Sequence, residues 1–297
     1  MLSAQSQCPF KAFATARLGA ERWEPAIPAL TPAQRGQLLH AVLHSVWRGR
    51  PGGIRSHAEL TRIAELRAFV AVHVRAALEA KMPAGARDAM PQRYLQLEET
   101  RLIELITEWL QYERARAPFT VAETELDVPV SIRSLALMLR LDRVDRLGNG
   151  ALLVIDYKTG NASPALWELP RPDDVQLPLY AGFGLDGEGG PLGGLLFARV
   201  RAGEHGFAGR VLDARSQLLP GLGNQTALVK RPFTVEELMD WRQYIEEMAA
   251  NFIDGDANVD PREYPKTCER CRLETLCRVR ESRALMDDED GEEADDA

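Results

Sequence analysis

Long apolar runs are absent from the sequence, which nowhere approaches the roughly 18 consecutive apolar residues that a membrane-spanning helix needs. The first ten residues also lack the apolar core of a signal peptide. These two absences argue against a membrane partner and favour a cytoplasmic location. Lysine is scarce, because only five of the 36 basic residues are Lys, and cysteine occurs just four times. Disulfides are not expected among cysteines in a cytoplasmic chain.

The remaining composition is that of a globular protein. The 297 residues are 45% apolar and 27% charged, which suits one large domain or two small ones. The net charge of −8 comes from residues 287–296, because without their eight acidic groups the 36 remaining acids equal the 36 basic residues. The neutral body neither indicates nor excludes a nucleic-acid partner. We expect the acidic tail to be disordered and solubilising, with competition against DNA for basic surface as the alternative.

The apolar pattern predicts helices, then strands, then helices. Thr31 before Pro32 is a typical helix start, and Thr234 with Glu237 forms a capping box. One predicted helix begins at Thr31–Pro32, and the others run from Ser56 to about Lys81, from Gln92 to Arg114, from Asp173 to Phe183 and from Thr234 to Phe252. Predicted strands cover 119–130, 135–146, 151–157, 192–200 and 206–212. This order predicts an α/β or α+β domain with a helical insertion.

The most informative stretch is residues 139–160, LRLDRVDRLGNGALLVIDYKTG. Asp142 lies in one predicted strand and Asp156 and Lys158 end the next, with a hairpin turn signal at Asn149-Gly150 between them. Pairing of these strands would bring Asp142 beside Asp156, and Lys158 shares a face with Asp156 because it lies two residues further along the strand. Two carboxylates can hold a hard divalent ion against a phosphate. The ammonium group can orient the attacking water or stabilise charge on the phosphate. The stretch therefore predicts phosphodiester hydrolysis.

Simpler interpretations exist for each residue taken alone. A D-x-K tripeptide such as that of Asp156 and Lys158 more often marks a surface ion pair at a strand end. A single histidine on a helix face, such as His40, is more often a packed core residue. The order of the motifs along the chain, and not any one of them, favours a site.

The cysteines are distributed unevenly. Cys268, Cys271 and Cys277 are clustered, whereas Cys8 lies near the start of the chain. A metal site with four thiolate ligands accounts for all of them, although a structural zinc site more often shows two close pairs. Zinc, an iron–sulfur cluster and four unconnected thiols all remain compatible with this spacing.

Five ordered motifs resemble a known family. They are G-x-x-x-H at Gly36 and His40, L-D-R-V-D at 141–145, V-I-D-Y-K-T-G at 154–160, Q-L-P-L-Y at 176–180 and C-x2-C-x5-C at 268–277. This series resembles the PD-(D/E)xK nucleases of the RecB/AddB type, and most closely the C-terminal nuclease domain of AddB-like proteins. The resemblance runs from residue 8 to residue 277. It implies a restriction-endonuclease-like core, in which helices flank a central mixed sheet, with an N-terminal helical insertion and a C-terminal iron–sulfur staple.

The resemblance also implies roles for individual residues. Asp142 and Asp156 would be the core metal ligands together with His40, and Lys158 would be the catalytic lysine. The other implied site residues are Glu125, with Glu123 as the fallback, and Gln176 and Tyr180 on the DNA-facing side. The implied cofactors are Mg²⁺ or Mn²⁺, and a 4Fe–4S cluster on Cys8, Cys268, Cys271 and Cys277, with zinc as the less favoured alternative.

The implied organisation has five parts. They are an N-terminal segment with the first cysteine (1–30), a helical region carrying His40 (31–115), the nuclease core (116–255), a cysteine segment (256–285) and the disordered acidic tail (286–297). Relatives of the AddB kind carry a long helicase-like region before the nuclease. This sequence shows no such region, so we expect a stand-alone nuclease or a piece of something larger.

The expected activity is that of a metal-dependent DNA nuclease of repair or recombination, an exonuclease or an end- or flap-processing enzyme that acts on single-stranded DNA or free ends. A helicase partner is compatible with this expectation. A catalytically silent DNA-binding or scaffold subunit of the same fold is the alternative. A zinc protein of regulatory type and an RNA or nucleotide substrate also stay open, because such a site reads phosphates and not bases.

Overall fold

The computed structural model describes residues 1–21, 29–82, 90–160, 162–184, 190–212 and 232–281, and the predicted acidic tail lies outside these ranges. The helices are α1 (Leu2–Gln7), α2 (Pro9–Ala16), α3 (Pro32–Trp47), α4 (His57–Arg62), α5 (Leu66–Lys81), α6 (Gln92–Arg114), α7 (Gln176–Leu179), α8 (Val235–Asp254), α9 (Lys266–Cys271) and α10 (Glu274–Cys277). None of the helices found in these ranges is both long and apolar enough to cross a bilayer.

A five-stranded mixed sheet forms the centre of the fold. Its strands are β1 (Phe119–Ile132), β2 (Leu135–Leu147), β3 (Leu152–Lys158), β4 (Leu192–Arg199) and β5 (Gly206–Val211), and they lie side by side in chain order. Only β3 and β4 are parallel, and the other neighbours are antiparallel. All five predicted strands are confirmed to within two residues at either end. The α/β class with helices flanking a mixed sheet is consistent with the restriction-endonuclease-like core that was expected.

The predicted hairpin between β2 and β3 is also confirmed. Gly150 adopts a positive φ of 84°, a conformation that glycine reaches without steric cost. Its N–H donates to the carbonyl oxygen of Leu147 at 2.9 Å, and the Leu147 N–H donates to the carbonyl oxygen of Ala151 at 2.9 Å. The turn thereby fixes the register of the two strands that carry Asp142 and Asp156.

Both faces of the sheet are covered, and β3 is buried on each. Leu153 and Ile155 pack with α3, α5 and α6 on one face, whereas Leu152 and Val154 pack with α7 and α8 on the other. This explains why β3 is a continuous apolar run and does not alternate with polar residues. Polar side chains at its carboxyl end are therefore held in a largely dry environment.

Three features of the helices differ from the predictions. The first 30 residues, which carry few regular signals, contain α1 and α2. The helix predicted from Ser56 to Lys81 is two helices, because Ile63 is extended and the Arg114 guanidinium donates to the carbonyl oxygens of Leu60 and Ile63 that a continuous helix would use. The helix predicted to begin at Asp173 begins at Gln176.

The late start of α7 also has a local cause. The N–H groups of Asp173 and Asp174 donate to the carbonyl oxygen of Leu166 at 2.8 and 3.0 Å, so these two residues belong to a turn. The helix then continues as a π-helical turn from Tyr180 to Gly184.

Two arginines and two carboxylates form a buried network that joins α6 to the sheet. The Arg143 guanidinium makes paired hydrogen bonds with Glu113, at 2.8 and 2.9 Å, and with Asp145, at 2.6 and 2.8 Å. Arg116 lies 2.8 Å from Asp145 and 3.3 Å from Glu113. Arg143 also donates to the Tyr157 hydroxyl at 3.1 Å and stacks on the ring of Trp47. The charges balance, which is the condition for burying them.

Removing one member of this network should destabilise the fold strongly. Replacement of Glu113 by alanine leaves two buried guanidinium groups sharing one carboxylate, and breaking a buried pair in this way costs about 3–5 kcal/mol. We expect that loss in the free energy of unfolding measured with urea. Glu104→Ala is the matched control on the same helix, because Glu104 forms an exposed ion pair with Arg67 and such pairs contribute about 1 kcal/mol or less. Equal losses in the two variants would contradict the role given to the network.

Candidate active site

Three carboxylates lie at one level on three adjacent strands. The register between β1 and β2 places Glu125 opposite Asp142. Continuing the β2–β3 register one residue beyond the pair Arg143 and Ile155 places Asp142 opposite Asp156. Glu125, Asp142 and Asp156 are called the acidic cluster below.

Asp142 connects β2 to β3 through its side chain. Its Oδ2 atom accepts a hydrogen bond from the Tyr157 N–H at 2.8 Å, beyond Arg143 and Ile155, the last pair in the main-chain ladder of the two strands. Its Oδ1 atom lies 3.2 Å from Nδ1 of His40, on α3. The other ring nitrogen of His40, Nε2, lies 3.0 Å from the carbonyl oxygen of Tyr157. His40 is thus placed against the acidic cluster by contacts with both strands.

The hydrogen bonds of His40 indicate that a cation belongs beside it. The Tyr157 carbonyl oxygen can only accept, so Nε2 carries the proton of that bond. Nδ1 and the Asp142 oxygen then face each other with a lone pair on each, unless a cation lies between them. A proton is one solution: burial lowers the pKa of His40, but the hydrogen bond and charge of Asp142, with the charge of Asp156, outweigh it and raise that pKa.

A divalent metal ion is the second solution, and the donor set fits it. Metal-ligating histidines usually donate their other N–H to a carbonyl or carboxylate, as His40 does to Tyr157. Among the described residues, one trio brings its ligand atoms within 4.8 Å of one another, and it consists of His40, Glu125 and Asp142. The structure therefore puts Glu125 with the predicted ligands His40 and Asp142. The fallback residue Glu123 is exposed.

Glu125 reaches this position with an unusual backbone. Its φ of 48° lies in the left-handed region, which non-glycine residues rarely adopt and which is frequent at functional sites. Burial and the charge of Asp142 raise the pKa of its carboxyl group, although His40, Arg140 and Lys81 oppose the shift. Glu125 is consequently a carboxylate that a nearby cation would stabilise.

Asp156 is turned towards Lys158. The Lys158 Nζ atom lies 2.8 Å from Asp156 Oδ2, and the two residues share a face of β3 as predicted. Burial raises the pKa of Asp156 to about 7, with the charge of Asp142 adding to the rise and Lys158 opposing it. For Lys158 the signs are reversed: burial lowers the pKa, and the neighbouring carboxylates raise it further than burial lowers it. Lys158 is therefore a charged ammonium group.

Gln176 and Tyr180 lie on α7 and the turn that follows it. Gln176 Oε1 accepts from the Lys158 ammonium group at 3.4 Å, and Gln176 Nε2 donates to the Tyr180 hydroxyl at 3.0 Å. The Tyr180 hydroxyl donates in turn to the carbonyl oxygen of Arg140. Tyr180 is buried, so in this structure it orients Gln176, and through it Lys158. Whether either residue faces DNA stays a prediction.

Two contributions to the site were not identified from the sequence. Asp174 lies 3.9 Å from the Lys158 Nζ atom, and its Oδ1 atom accepts the N–H of Gln176 at 2.8 Å. An acidic residue two positions before the Q-x-x-x-Y motif was the available signal. The other is the main chain of Tyr157, which bonds both His40 and Asp142. Its side chain packs on the opposite face of the sheet, where burial raises the pKa of its hydroxyl.

Two members of the acidic cluster, Glu125 and Asp142, open into a cavity of about 850 Å³ between α3, α5 and the paired strands β1 and β2. His40 lines the same cavity. This is the size of a pocket that encloses a small ligand. We call it the site cavity.

The four cysteines meet at a second place. Cys8 precedes α2, Cys268 and Cys271 lie on α9 and Cys277 ends α10, and all four are free thiols that line one small cavity. Burial and the neighbouring thiols raise the pKa of Cys268 to about 11. Four thiols that line one small cavity suit a cationic group that would stabilise their thiolates.

Main-chain contacts hold Cys8 in this position. The Arg262 N–H donates to the Gln7 carbonyl oxygen at 2.8 Å, and the Phe10 N–H donates to the Asn258 carbonyl oxygen at 2.9 Å. The first and last described segments are therefore joined on both sides of Cys8 by protein contacts.

Comparison with known proteins gives one result. Residues 2–278 match the family model of the PD-(D/E)XK nuclease superfamily. No curated protein matches the chain.

The raised pKa of Asp156 predicts how stability depends on pH. The folded state holds this proton more tightly than the unfolded chain, whose aspartate pKa is near 3.8, so the stability of the metal-free protein falls as pH rises from about 4 to about 7. Asp156→Asn cannot ionise and should raise the melting temperature in EDTA at pH 8, with a gain that shrinks towards pH 4.5. Differential scanning fluorimetry across this range tests the prediction. Asp127 is an exposed aspartate on β1, the edge strand of the same sheet, and has a lowered pKa. Asp127→Asn should give no such gain, and loss of stability in Asp156→Asn at pH 8 would refute the assignment.

Proposed function

The chain belongs to the PD-(D/E)XK nuclease superfamily, and from this premise we propose that it is a metal-dependent DNA nuclease that hydrolyses phosphodiester bonds. The proposed substrate is single-stranded DNA, attacked at ends or flaps as by an exonuclease, in repair or recombination. The observation that carries the proposal is the convergence of His40, Glu125 and Asp142 in one cavity, with the Asp156–Lys158 pair on the adjacent strand β3.

Mg²⁺ or Mn²⁺ is the proposed cofactor of this site. His40, Glu125 and Asp142 would hold the ion, with Asp156 beside them. When bound, such an ion supplies the positive charge that polarises a phosphoryl oxygen and lowers the pKa of a water.

Lys158 is the proposed catalytic lysine. Its ammonium group is charged, anchored by Asp156 at 2.8 Å and steadied by Gln176. A fixed positive charge at this position can stabilise negative charge that develops on the phosphate, because a preorganised group needs no reorganisation during the reaction. Gln176 and Tyr180 restrict where the ammonium group can go.

The proposed domain organisation follows from the position of His40. The helical region 31–115 is an insertion that packs on one face of the core 116–255 and supplies one candidate ligand to it. The cysteine segment 256–285 then returns to the N-terminal segment 1–30.

For the four cysteines we propose a 4Fe–4S cluster. A single zinc ion with bonds of about 2.3 Å requires its sulfur ligands to lie about 3.8 Å apart. Among the described residues no three of the four thiols bring their sulfur atoms within 4.8 Å of one another, although all line one cavity. This wider spacing favours a multi-iron cluster over zinc.

The cluster's proposed work is structural. The segment that carries Cys8 contacts the loop before α7: Gln7 Nε2 donates to the Asp173 carbonyl oxygen at 2.8 Å and Ser3 Oγ donates to Asp174 at 3.4 Å. Asp174 in turn accepts the N–H of Gln176. Stabilising Cys8 therefore stabilises the loop that orients Lys158.

A catalytically silent DNA-binding or scaffold subunit is the second candidate function. A helicase partner that supplies the strand also belongs to the first proposal, and RNA is the alternative substrate. The intact Asp156–Lys158 pair and the Gln176 contact favour an active enzyme.

Lys158→Met distinguishes an enzyme from a scaffold. We expect cleavage of an end-labelled oligonucleotide in Mg²⁺ to fall by about 10²–10³-fold, the effect of removing one group that stabilises transition-state charge. DNA affinity should stay within about threefold, because one phosphate contact among several is lost. Lys266→Met, an exposed lysine paired with Glu263, is the control with full activity. A wild-type protein that binds DNA but does not cleave it would establish the scaffold.

Cys8→Ser tests the proposed cluster. The anaerobically purified wild type should be coloured, absorb light at about 400 nm and contain iron and sulfide, as expected of a thiolate-bound iron–sulfur cluster. The variant should lose this absorbance and melt at a lower temperature, because the staple between the ends of the chain is removed. Thr15→Ser, on the exposed face of α2, should retain both properties. One zinc per chain and no iron in the wild type would overturn the proposal.

A further inference from the structure

The site cavity extends well beyond the acidic cluster. Gly36, His40, His44 and Arg48 recur every four residues along α3 and all line it. At 1.5 Å per residue, Arg48 lies about 12 Å along the helix axis from His40. The cavity therefore extends from His40 in two directions along the helix, towards Ala33 and towards Arg48.

Part of the cavity lining is basic. Arg48, Lys81 and Arg140 all line the cavity near His44. Their proximity is evident in the pKa of His44, which burial lowers and the charges of these three cations lower further. Three positive charges from α3, α5 and β2 thus surround one neutral imidazole.

Arg48 and Lys81 differ from Arg140 in their partners. Arg140 is bound to Asp127 and lies near Glu125. Within the described ranges, the side chains of Arg48 and Lys81 form no ion pair with a carboxylate, in contrast to the arginines on the outer side of α5. Two cations that line one cavity and form no ion pair with a carboxylate offer positive charge that attracts an anion.

The shape of the cavity restricts which anion can enter. Its walls on α3 and α5 are mostly glycine and alanine, namely Ala33, Gly36, Ala41, Ala76, Ala77 and Ala80. A Cβ atom added at Gly36 would meet no atom within 4 Å. A cavity of about 850 Å³ accepts a short stretch of one strand but is too small for a duplex.

We propose that Arg48 and Lys81 bind the backbone phosphates that adjoin the one at the acidic cluster, so that a single DNA strand lies along α3. The proposal rests on the proposed nuclease function and adds the path of the strand. Arg48 and Lys81 are positioning residues, since they lie away from the reacting phosphate. Their contribution is electrostatic and independent of base sequence.

The test measures binding in the Lys158→Met background, where cleavage does not interfere. The anisotropy of a fluorescein-labelled oligothymidine is followed with Mg²⁺ over a series of salt concentrations. The double substitution Arg48→Ala and Lys81→Ala should raise the Kd at least tenfold. It should also lower the slope of log Kd against log salt concentration by about 1.4, because each of the two lost contacts with a single-strand phosphate contributes about 0.7 to that slope.

A matched control removes the same charge from the outer side of α5. Arg67 and Arg75 pair with Glu104 and Glu99 of α6 and do not line the cavity. Arg67→Ala with Arg75→Ala should leave the Kd and the salt dependence as they were. With Lys158 restored, the Arg48 and Lys81 double variant should show a raised KM and a nearly unchanged kcat.

Gly36→Leu tests the path without changing charge. Leucine favours a helix more than glycine does, so the melting temperature should not fall, while the side chain fills the cavity and weakens oligothymidine binding at least tenfold. Unchanged binding in this variant, or in the Arg48 and Lys81 double variant, would overturn the proposed path. So would a blunt duplex that binds as tightly as the single strand. If the wild type cleaves DNA and these substitutions leave binding unchanged, only the proposed path of the strand is wrong. If the wild type neither binds nor cleaves DNA, the proposed function itself is wrong.

Discussion

The candidate site depends on the buried network of Arg143, Glu113, Asp145 and Arg116. This network joins the last turn of α6 to β2, and Arg143 also contacts Trp47 of α3 and the Tyr157 hydroxyl of β3. The helical insertion is thereby fixed on one face of the sheet. Because α3 is fixed, His40 reaches Asp142 and the main chain of Tyr157. A buried charge network has one low-energy arrangement, and it lies directly behind the acidic cluster.

The acidic cluster itself opposes folding. Glu125 and Asp156 both have pKa values raised by burial and by the charge of Asp142. Of these two carboxylates, the Lys158 ammonium group directly contacts only Asp156, so it offsets the charge of that group alone. The fold thus holds carboxylates together in a dry place at a cost in stability, which is the usual condition of a site built to bind a cation. The same cavity is also lined by Arg48 and Lys81, which carry the opposite charge.

The first and last segments of the described chain contact the loop that precedes Gln176. Gln7 and Ser3, which precede Cys8, contact the loop that leads to Gln176. Arg171 of this loop donates to the carbonyl oxygen of Ser6 and pairs with Asp260. The loop is therefore held between the first and last segments of the fold. Its conformation determines where Gln176, and with it Lys158, can lie.

The sequence by itself determined the strands, the β2–β3 hairpin and the starts of α3 and α8, because these depend on local capping, turn residues and apolar period. It also determined that Asp156 and Lys158 share a face, since that follows from two-residue periodicity. Only the tertiary structure decided the rest. The choice of Glu125 over Glu123 depends on an irregular backbone and a register with β2. The break before α5 depends on Arg114, a residue some 50 positions away. The presence of Arg48 and Lys81 in one cavity depends on how α3 packs beside α5. No local sequence pattern encodes a contact between these two helices.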